Sequence, residues 1–515
     1  MAAPRQRLID PATPTSNFYS NPQLPRIDSK SSGLLALTEK FWLIAIASCL
    51  ALFVVVDINY HSFPQAQQPK VTLTVSERKS FEWEFKANTF LESNARVFLE
   101  KLCSFGTRHL GSKANEESAV TYITDVVKEI KTHANPLHEI ELDIQAPSGC
   151  FDINFIGNFT TCYMNIKNIL VRLSPVNQKS SSALLVNCHY DTAISSPGAS
   201  DDAISCAIMM ESLRLLSQSD QPLTHSIVFN FNGAEEAILQ ASHGFITQHP
   251  WAGQLKAFVN LEAAGSGGRE IVFQTGPEHP WLVAAYAESA KYPYASIVAQ
   301  EIFQSGVIPS DTDFRIYRDY GNIPGIDIAY VYNGYIYHTK YDQPKYIPPG
   351  CIQRGGENVL GIITNLANSE KLSDPGDSRL GKMVFFDVLG FFMIHYPLRL
   401  GEIINCATIL AALLNLYRKI RLFKREGRNP TLYIKLVVAS YMMHAAGFVA
   451  MVTVNIVIAL SVSLVQPMMW YTNNWLVVPV YMLPAVAVWI LVHQRGRHVG
   501  GANIFQLPSS SGLFC

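Results

Sequence analysis

Apolar residues are distributed along this chain in two different patterns. Long apolar runs with few charges occur at 41–56, 402–417, 432–465 and 475–493, and a shorter one occurs at 384–395. Because a membrane span needs about 20 mostly apolar residues, the long runs predict one N-terminal and about three C-terminal transmembrane helices. The shorter run either lies against the bilayer or begins a span. The sequence between these regions has the mixed pattern of a soluble domain.

The soluble part alternates between strand-like and helix-like segments. Apolar residues recur at helical spacing at 85–101, 115–131, 206–216, 235–249 and 280–290. Strand-like runs occupy 140–144, 166–173, 183–186, 226–231, 257–261, 271–274 and 326–332. Strands that alternate with helices predict an α/β domain with a largely parallel core.

The changes in composition divide the chain into five segments. We expect a disordered cytosolic tail at 1–33, a transmembrane helix at 34–57, a soluble domain at 58–380, C-terminal transmembrane helices at 381–500 and a tail at 501–515. Prolines, serines and asparagines are frequent in the first tail, which is typical of disorder.

Positive charge sets the predicted orientation in the membrane. The tail at 1–33 carries four Lys and Arg residues, whereas 57–68 carries none, and a basic loop is predicted at 418–430. Because Lys and Arg accumulate on the cytosolic side, the tail and the basic loop are predicted to be cytosolic and the soluble domain to lie on the opposite face.

Bulk composition excludes one class of partner and leaves two modifications open. The net charge is −1, so no nucleic-acid binding is expected. Nine cysteines occur without any CxxC motif, which argues against a thiolate zinc site. Cys150 and Cys162 either form a disulfide, which needs an oxidising compartment, or are two small buried thiols. Asn158 begins an N-x-T sequon, which can carry an N-glycan only outside the cytosol.

Side chains that bind metals follow the strand-like runs. Five of them predict a site for two zinc ions: His189, Asp201, Glu236, Glu262 and His338. Imidazole and carboxylate groups suit Zn²⁺, and the two oxygens of Asp201 can bridge two ions that act together in hydrolysis. Since the carboxyl ends of parallel strands meet at one crevice, these residues are expected to converge.

Two further residues are predicted to act in catalysis. Glu235 lies next to a ligand, and it is the natural general base to take a proton from the attacking water and pass it to the leaving amine. Asp191, two residues after His189, is predicted to orient the imidazole.

Each of these residues also has a purely structural interpretation. Alone, His189 would more often be a core histidine, and Glu235 and Glu236 would be ordinary acids in the first turn of a helix. Asp201 and Asp202 are both suited to a helix N-terminus, and we expect that Asp202 caps the helix while Asp201 binds metal. The presence of all five candidate ligands in one chain favours the metal site.

The motifs together resemble a known family. His-Tyr-Asp, Gly-Ala-Ser-Asp-Asp-Ala, Asn-Gly-Ala-Glu-Glu, Asn-Leu-Glu-Ala and Tyr-His-Thr-Lys-Tyr-Asp begin at 189, 198, 232, 260 and 337. In this order and spacing they resemble the zinc metallopeptidases of family M28, and more closely its membrane-bound branch in the endoplasmic reticulum.

The resemblance implies a zinc-exopeptidase fold, a mixed sheet flanked by helices, and two zinc ions. One ion would be bound by His189, Asp201 and Glu262, and the other by Asp201, Glu236 and His338, with Glu235 as the base. Many family members carry Asp where Glu262 stands, and the longer side chain shifts that metal position.

The resemblance also implies an aminopeptidase-type activity on peptides or proteins. It implies a multi-pass protein of the endoplasmic reticulum membrane with a lumenal catalytic domain. The membrane part is shorter than that of the family branch, so we expect a truncated isoform or a fragment.

Two other functions are compatible with the same fold. Glutaminyl cyclases resemble this family but use one zinc ion and act as acyltransferases on N-terminal glutamine. Other relatives of the fold are non-catalytic receptors or assembly proteins in membranes, and that class usually lacks the ligands that are present here.

Overall fold

The structure is a computed structural model of the chain. It describes residues 44, 47–49, 51–67, 84–85, 87–155, 157–176, 181–466 and 474–499. The chain divides into a unit that ends at Asn59 and a second unit from Tyr60 to Cys515. Helix α1, Ala47–Tyr60, contains most of the described residues of the first unit. The predicted tails and most of the predicted N-terminal span lie outside the described residues.

Helices and strands alternate along the second unit. The helices are α2 (Glu92–Cys103), α3 (Val120–Thr132), α4 (Ile204–Ser217), α5 (Gln240–Gln248), α6 (Pro280–Ser289), α7 (Ile297–Gln304), α8 (Asp313–Asp319), α9 (Cys351–Ala367), α10 (Leu398–Arg425), α11 (Pro430–Val465) and α12 (Leu483–Val499). The strands are β1 (His138–Gln145), β2 (Gly149–Phe155), β3 (Gly157–Tyr163), β4 (Asn168–Pro175), β5 (Ala183–His189), β6 (Ser226–Asn232), β7 (Leu255–Ala263), β8 (Glu270–Gly276), β9 (Gly325–Tyr330), β10 (Met383–Val388) and β11 (Phe392–Pro397).

Seven strands form one mixed sheet in the order β1-β4-β6-β5-β7-β9-β8. Strands β6, β5, β7 and β9 run parallel to one another, whereas β1, β4 and β8 pair with their neighbours in antiparallel fashion. The predicted α/β class, a mixed sheet flanked by helices, is confirmed. The parallel centre places the carboxyl ends of β5, β6 and β7 at the same edge.

Alternation of side chains along the strands gives the sheet two buried faces. In β6, Ile227 and Phe229 pack with the core formed by α2, α3, α4, α6 and α9. Val228, between them, packs on the opposite face with residues of α5 and α8. Because both faces are covered, the central strands are apolar almost throughout, as parallel strands usually are.

Strands β2 and β3 form a separate antiparallel hairpin. Cys150 and Cys162 are directly opposite each other across this hairpin, and a disulfide joins them. Asn158 is exposed at the start of β3, so its side chain is accessible for the predicted glycan.

The helix predicted at 235–249 is shorter in the structure. It begins at Gln240, because Ile238 and Leu239 have positive φ angles of 66° and 59° that interrupt a right-handed helix. The loop that replaces its first turn carries the two glutamates, Glu235 and Glu236. This part of the prediction was wrong.

The short apolar run at 384–395 is not the beginning of a span. It forms the antiparallel hairpin of β10 and β11, in which Val388 is paired with Phe392. Leu389 and Gly390, in the connecting loop, both have positive φ angles, as tight hairpin loops require.

Three described helices are long and apolar enough to cross a membrane. They are Leu398–Arg425, Pro430–Val465 and Val478–Arg495, and the last combines a π-helical turn with most of α12. The predicted number of C-terminal helices is confirmed. The basic segment predicted as a loop is helical as far as Arg425, since Lys and Arg are favourable near a helix C-terminus.

Candidate metal centre

The five predicted ligands come from two strand ends and three loops. His189 is the last residue of β5, and Glu262 is the penultimate residue of β7. Glu236 lies in the loop after β6, Asp201 in a short turn before α4, and His338 in the loop after β9. Since β5, β6, β7 and β9 are parallel, these positions meet at one edge of the sheet.

His189, Asp201 and Glu262 form a first cluster. Nε2 of His189 lies 3.2 Å from Oδ1 of Asp201 and 3.6 Å from Oε2 of Glu262. All three residues are buried, and Nε2 of His189 has no hydrogen-bond partner in the described part of the chain. A buried ring nitrogen that faces two carboxylates without a hydrogen bond is suited to binding a cation.

Asp201, Glu236 and His338 form a second cluster. Nε2 of His338 lies 3.0 Å from Oδ2 of Asp201 and 3.1 Å from Oε1 of Glu236. The imidazole of His338 stacks on the ring of Tyr337, with 3.7 Å between the ring centroids. Asp201 therefore directs one oxygen toward each cluster, as a bridging ligand must.

The residues of both clusters carry more negative than positive charge, and the first cluster is fully buried. Burial and the carboxylate of Glu262 raise the pKa of Glu235 well above its ordinary value. Burial and Asp201 raise the pKa of Glu236 to about 7. Burial lowers the pKa of His189, but its contacts with carboxylates outweigh burial and raise that pKa overall. A divalent cation would remove this repulsion between carboxylates.

Asp191 holds the loop of the two glutamates. Its Oδ1 accepts a hydrogen bond from the backbone N–H of Glu235, and its Oδ2 accepts one from that of Glu236, both at 3.1 Å. The backbone oxygen of Asp191 is the hydrogen-bond partner of His189 Nδ1, at 3.2 Å, and its carboxylate Oδ1 lies 3.4 Å from the same nitrogen. Asp191 therefore contacts the imidazole, and its carboxylate also holds the loop, a role that the sequence did not indicate.

Asp342 holds the segment that carries Asp201. Its Oδ1 accepts hydrogen bonds from the backbone N–H and the hydroxyl of Ser200, and its Oδ2 accepts one from the backbone N–H of Asp201 at 3.1 Å. Asp342 lies four residues after His338, so one loop supplies a candidate ligand and the support for another.

The capping role expected for Asp202 is wrong. The helix that follows begins without a side-chain cap, and Asp202 Oδ2 instead accepts a hydrogen bond from the backbone N–H of His189 at 3.3 Å. Asp202 thus links the end of β5 to the turn before α4.

A buried arginine fixes the chain between His189 and Asp201. The guanidinium of Arg108 donates hydrogen bonds to the backbone oxygens of Tyr190, Pro197 and Gly198 at 2.7, 2.8 and 3.1 Å. Five N–H donors in a rigid plane allow one side chain to hold several carbonyl groups. No sequence motif marked Arg108.

A layer of polar side chains supports Glu262 from within the sheet. Nδ2 of Asn260 donates to Oε1 of Glu262 at 3.3 Å and to Oδ1 of Asp327 at 3.0 Å. Nδ2 of Asn187 donates to Oδ1 of Asn260 and to Oδ2 of Asp313, both at 2.8 Å. Asn260 and Glu262 are two residues apart on a strand, so both lie on the same face.

A cavity of about 320 Å³ borders the second cluster. Its lining includes Glu235, Glu236 and His338, together with the apolar residues Ile153, Ile238, Leu239 and Pro309 and the polar residues Ser310 and Asp311. A larger cavity, of about 410 Å³, is lined by none of the candidate ligands.

The residues present fit zinc. In each cluster the three ligand atoms lie within 4.8 Å of one another, and each cluster combines one imidazole with two carboxylates. Such oxygen and nitrogen donors are typical ligands of Zn²⁺. The orphaned Nε2 of His189 is the observation that argues most directly for a cation.

Comparison with known proteins agrees with this chemistry. Residues 168–363 match the family described as Peptidase family M28. The matched range includes all seven predicted site residues. The resemblance that the motifs predicted is therefore confirmed. A match to this family supports zinc as the metal.

The chain is similar to curated proteins of the endoplasmic reticulum. It is 50% identical over 426 residues to endoplasmic reticulum metallopeptidase 1 of Mus musculus, and the aligned region is 82% of this chain and 46% of that protein. It is 51% identical over 405 residues to the protein of the same name from Homo sapiens, and the aligned region is 78% of this chain and 44% of that protein. The chain spans about half the length of the curated relatives it matches.

Solved structures with a similar fold include enzymes of two kinds. A zinc aminopeptidase from Bacillus subtilis aligns with a TM-score of 0.43 at 14% identity, covering 56% of this chain and 98% of that one. A glutaminyl cyclase from Porphyromonas gingivalis aligns with a TM-score of 0.40 at 18% identity, covering 54% and 99%. Similarity at this level does not distinguish an aminopeptidase from a cyclase.

Replacement of Asp342 by Asn should weaken zinc binding. An amide cannot accept all three hydrogen bonds that hold Ser200 and Asp201, so Asp201 loses its fixed position, and we expect zinc affinity to fall about 10–100-fold. Competition with a zinc-binding dye measures this affinity. The exposed residue Asp125 provides the control Asp125→Asn, and unchanged affinity in Asp342→Asn would contradict the positioning role.

The metal-free protein should become less stable as the pH rises from about 5 to about 8. Burial and Glu262 raise the pKa of Asp313 to about 7, and burial and Asp201 raise that of Glu236 to about 7. A carboxyl whose pKa is higher in the folded chain than in the unfolded chain destabilises the fold as the pH rises through that interval.

His338 acts in the same direction. Its carboxylate partners outweigh burial and raise its pKa to about 10, so its stabilising contribution is lost as the pH rises above its unfolded value. Thermal melting with a chelator and with zinc measures the effect. Zinc should stabilise the protein more at the higher pH, since it binds deprotonated ligands. A chelated protein that melts higher at pH 8 than at pH 5 would refute this prediction.

Proposed function

We propose that this chain, which contains a peptidase family M28 domain at residues 168–363, is a membrane-anchored zinc metallopeptidase of aminopeptidase type. The observation that carries the proposal is the pair of clusters that share Asp201. Beside them, Glu235 borders both the cluster of His189 and the cavity of about 320 Å³. A non-catalytic receptor would not need this combination of ligands, base and cavity.

Two zinc ions are proposed, one for each cluster. His189, Asp201 and Glu262 would hold the first, and Asp201, Glu236 and His338 the second. Zinc at these positions would polarise the substrate carbonyl group and lower the pKa of the attacking water. The side chain of Glu262 is long enough for its oxygen to lie within 3.6 Å of His189 Nε2, so the Glu in place of the family's Asp is compatible with the first position.

Glu235 is proposed as the general base. Its Oε2 lies 4.0 Å from Nε2 of His189, and its side chain also lines the cavity. It can therefore take a proton from a water at the clusters and donate it to the leaving amine on the cavity side. Burial raises its pKa, which makes it a stronger base than an exposed glutamate.

Asp191 is proposed to position this base. The carboxylate of Asp191 binds the backbone N–H groups of Glu235 and Glu236 together, so one residue fixes the base and an adjacent ligand. Its backbone oxygen also binds Nδ1 of His189, which leaves Nε2 free to face the metal.

The substrate is proposed to be a peptide or protein with a free N-terminus. The cavity beside Glu235 and His338 has an apolar wall from Ile153, Ile238 and Leu239. A volume of about 320 Å³ suits one or two residues rather than a long extended segment.

The catalytic domain is proposed to lie in the lumen of the endoplasmic reticulum, on a multi-pass protein. Helix α10 begins directly after the β10–β11 hairpin with one basic residue, Arg399, in its first turn. Its last eight residues contain five basic ones: Arg418, Lys419, Arg421, Lys424 and Arg425. The positive-inside rule places that end in the cytosol and the domain across the membrane. The disulfide Cys150–Cys162 and the accessible sequon at Asn158 suit such a compartment.

The substitution Glu235→Gln tests the proposal. It keeps the size of the side chain but removes the proton acceptor, so kcat for hydrolysis of aminoacyl-coumarin substrates should fall about 10²–10⁴-fold while bound zinc is unchanged. Hydrolysis is followed by fluorescence and zinc by mass spectrometry.

Matched variants and substrates sharpen this test. Glu139→Gln, at an exposed position on β1, should retain full activity. The N-acetylated form of the same substrate should not be cleaved if a free N-terminus is required. A fully active Glu235→Gln protein would refute the assignment of the base, and cyclisation of glutaminyl peptides without cleavage would favour the cyclase.

A further inference from the structure

The hairpin of β10 and β11 has one face that packs inward and one that does not. On the inner face Phe385 is completely buried in the main core, and Met393 packs against the same core. The carboxylate of Asp387, also on this side, accepts a hydrogen bond from the backbone N–H of Ala295 at 3.3 Å. The inner face therefore anchors the hairpin to the body of the second unit.

The outer face is apolar or aromatic at every position. Strand register and the alternation of side chains place six residues on it: Val384, Phe386, Val388, Phe392, Ile394 and Tyr396. Phe392 is 55% exposed, and Phe391, in the connecting loop, is 68% exposed. A contiguous apolar surface of this kind marks a site of interaction.

The connecting loop has an unusual residue for its conformation. Leu389 has a φ of +55° and is exposed. Asn, Asp or Gly would adopt this backbone region at a lower energetic cost than leucine. Leu389 thus places a large apolar side chain at the tip of an exposed loop in spite of the conformational cost.

The hairpin is directly joined to the first C-terminal membrane helix. Strand β11 ends at Pro397 and α10 begins at Leu398, whose backbone N–H donates to the oxygen of Lys382 at 3.0 Å. Helix α10 has 28 residues, about 42 Å, which exceeds the hydrocarbon core of about 30 Å by only a few turns. Since its far end is basic, its N-terminus and the hairpin must lie close to the membrane surface.

The first turn of α10 lies on the outer face of the hairpin. A Cβ placed on Gly401 would be 3.3 Å from Cε2 of Tyr396 and 3.6 Å from Cγ2 of Val384. The helix that enters the bilayer thus leaves from the apolar face and covers only its base.

We propose that the hairpin Met383–Pro397 is an interfacial membrane anchor, with its outer face and its loop in contact with lipid. Aromatic residues such as Phe392 and Tyr396 suit the boundary between head groups and acyl chains. The anchor would hold the catalytic domain in a fixed orientation against the bilayer. This inference depends on α10 as a span and is independent of the proposed peptidase activity.

Photocrosslinking of the full chain tests the anchor. A photoreactive benzoyl-phenylalanine is placed at Phe392 or at Phe391, and the protein is reconstituted in phosphatidylcholine vesicles that contain an alkyne-tagged phosphatidylcholine. Both positions are exposed, so the fold should tolerate the change, and thermal melting checks this. The control position is Ile144, an exposed apolar residue on strand β1.

Lipid adducts should form at Phe392 and Phe391 with a yield about tenfold above that at Ile144, because only the hairpin would contact acyl chains. Adducts to another segment of the chain or to a second copy, in place of lipid, would overturn the proposal and identify a protein partner for this face. The absence of any adduct above the control would also overturn it, since it would show a face exposed to water. Hydrolysis of an aminoacyl substrate by the same samples reports separately on the proposed function.

Discussion

Carboxylates crowd around His189, which is buried, and around His338, which is partly open to solvent. Asp201 and Glu262 are buried and Glu235 is mostly buried, and the pKa of Glu235 and of Glu262 is raised chiefly by burial. Such a group of acids is costly in a protein interior unless a cation binds them. The need to neutralise this charge explains the positions of the surrounding loops, since each of them brings a ligand or a hydrogen-bond donor to the same small volume.

The mixed sheet and its polar layer make this concentration of charge possible. The parallel order of β6, β5, β7 and β9 brings residues that are far apart in the chain to one edge. Behind the ligands, Asn187, Asn260 and Asp327 replace the apolar side chains expected in buried strands. A hydrogen bond from Asn260 holds the carboxylate of Glu262. Asp191 holds the loop of Glu235 and Glu236, and Asp342 holds the turn that carries Asp201. A buried hydrogen-bonded network of this kind favours one geometry of the site.

The candidate ligands could be found from the sequence because each follows an apolar strand or lies in a motif with a recognisable order. Asp342 was part of such a motif, but its contact with Ser200 and Asp201, about 140 positions away, depends on how two loops meet in space. The late start of α5 could not be foreseen, since the positive φ at Leu239 follows from a loop held by Asp191. Asn187 and Asn260, polar residues within apolar strands, were visible signals of the supporting layer that were not used.

The membrane part is related to the site through the same domain. Phe385 joins the hairpin before α10 to the main core, so the sheet and the hairpin that leads into this candidate span are parts of one packed unit. The hydropathy of the sequence identified the candidate spans, but hydropathy alone could not distinguish a hairpin with one apolar face from the beginning of a span at 384–395. The distinction depends on the alternation of inward and outward residues, and the packing partners of Phe385 and Met393 determine it.

Anomalous scattering at the zinc absorption edge from crystals of the zinc-loaded chain would test the central claim most directly. We predict two peaks about 3.5–4 Å apart, one next to His189 and Glu262 and the other next to Glu236 and His338, with Asp201 between them. A single peak, or none at these side chains, would contradict the two-metal centre.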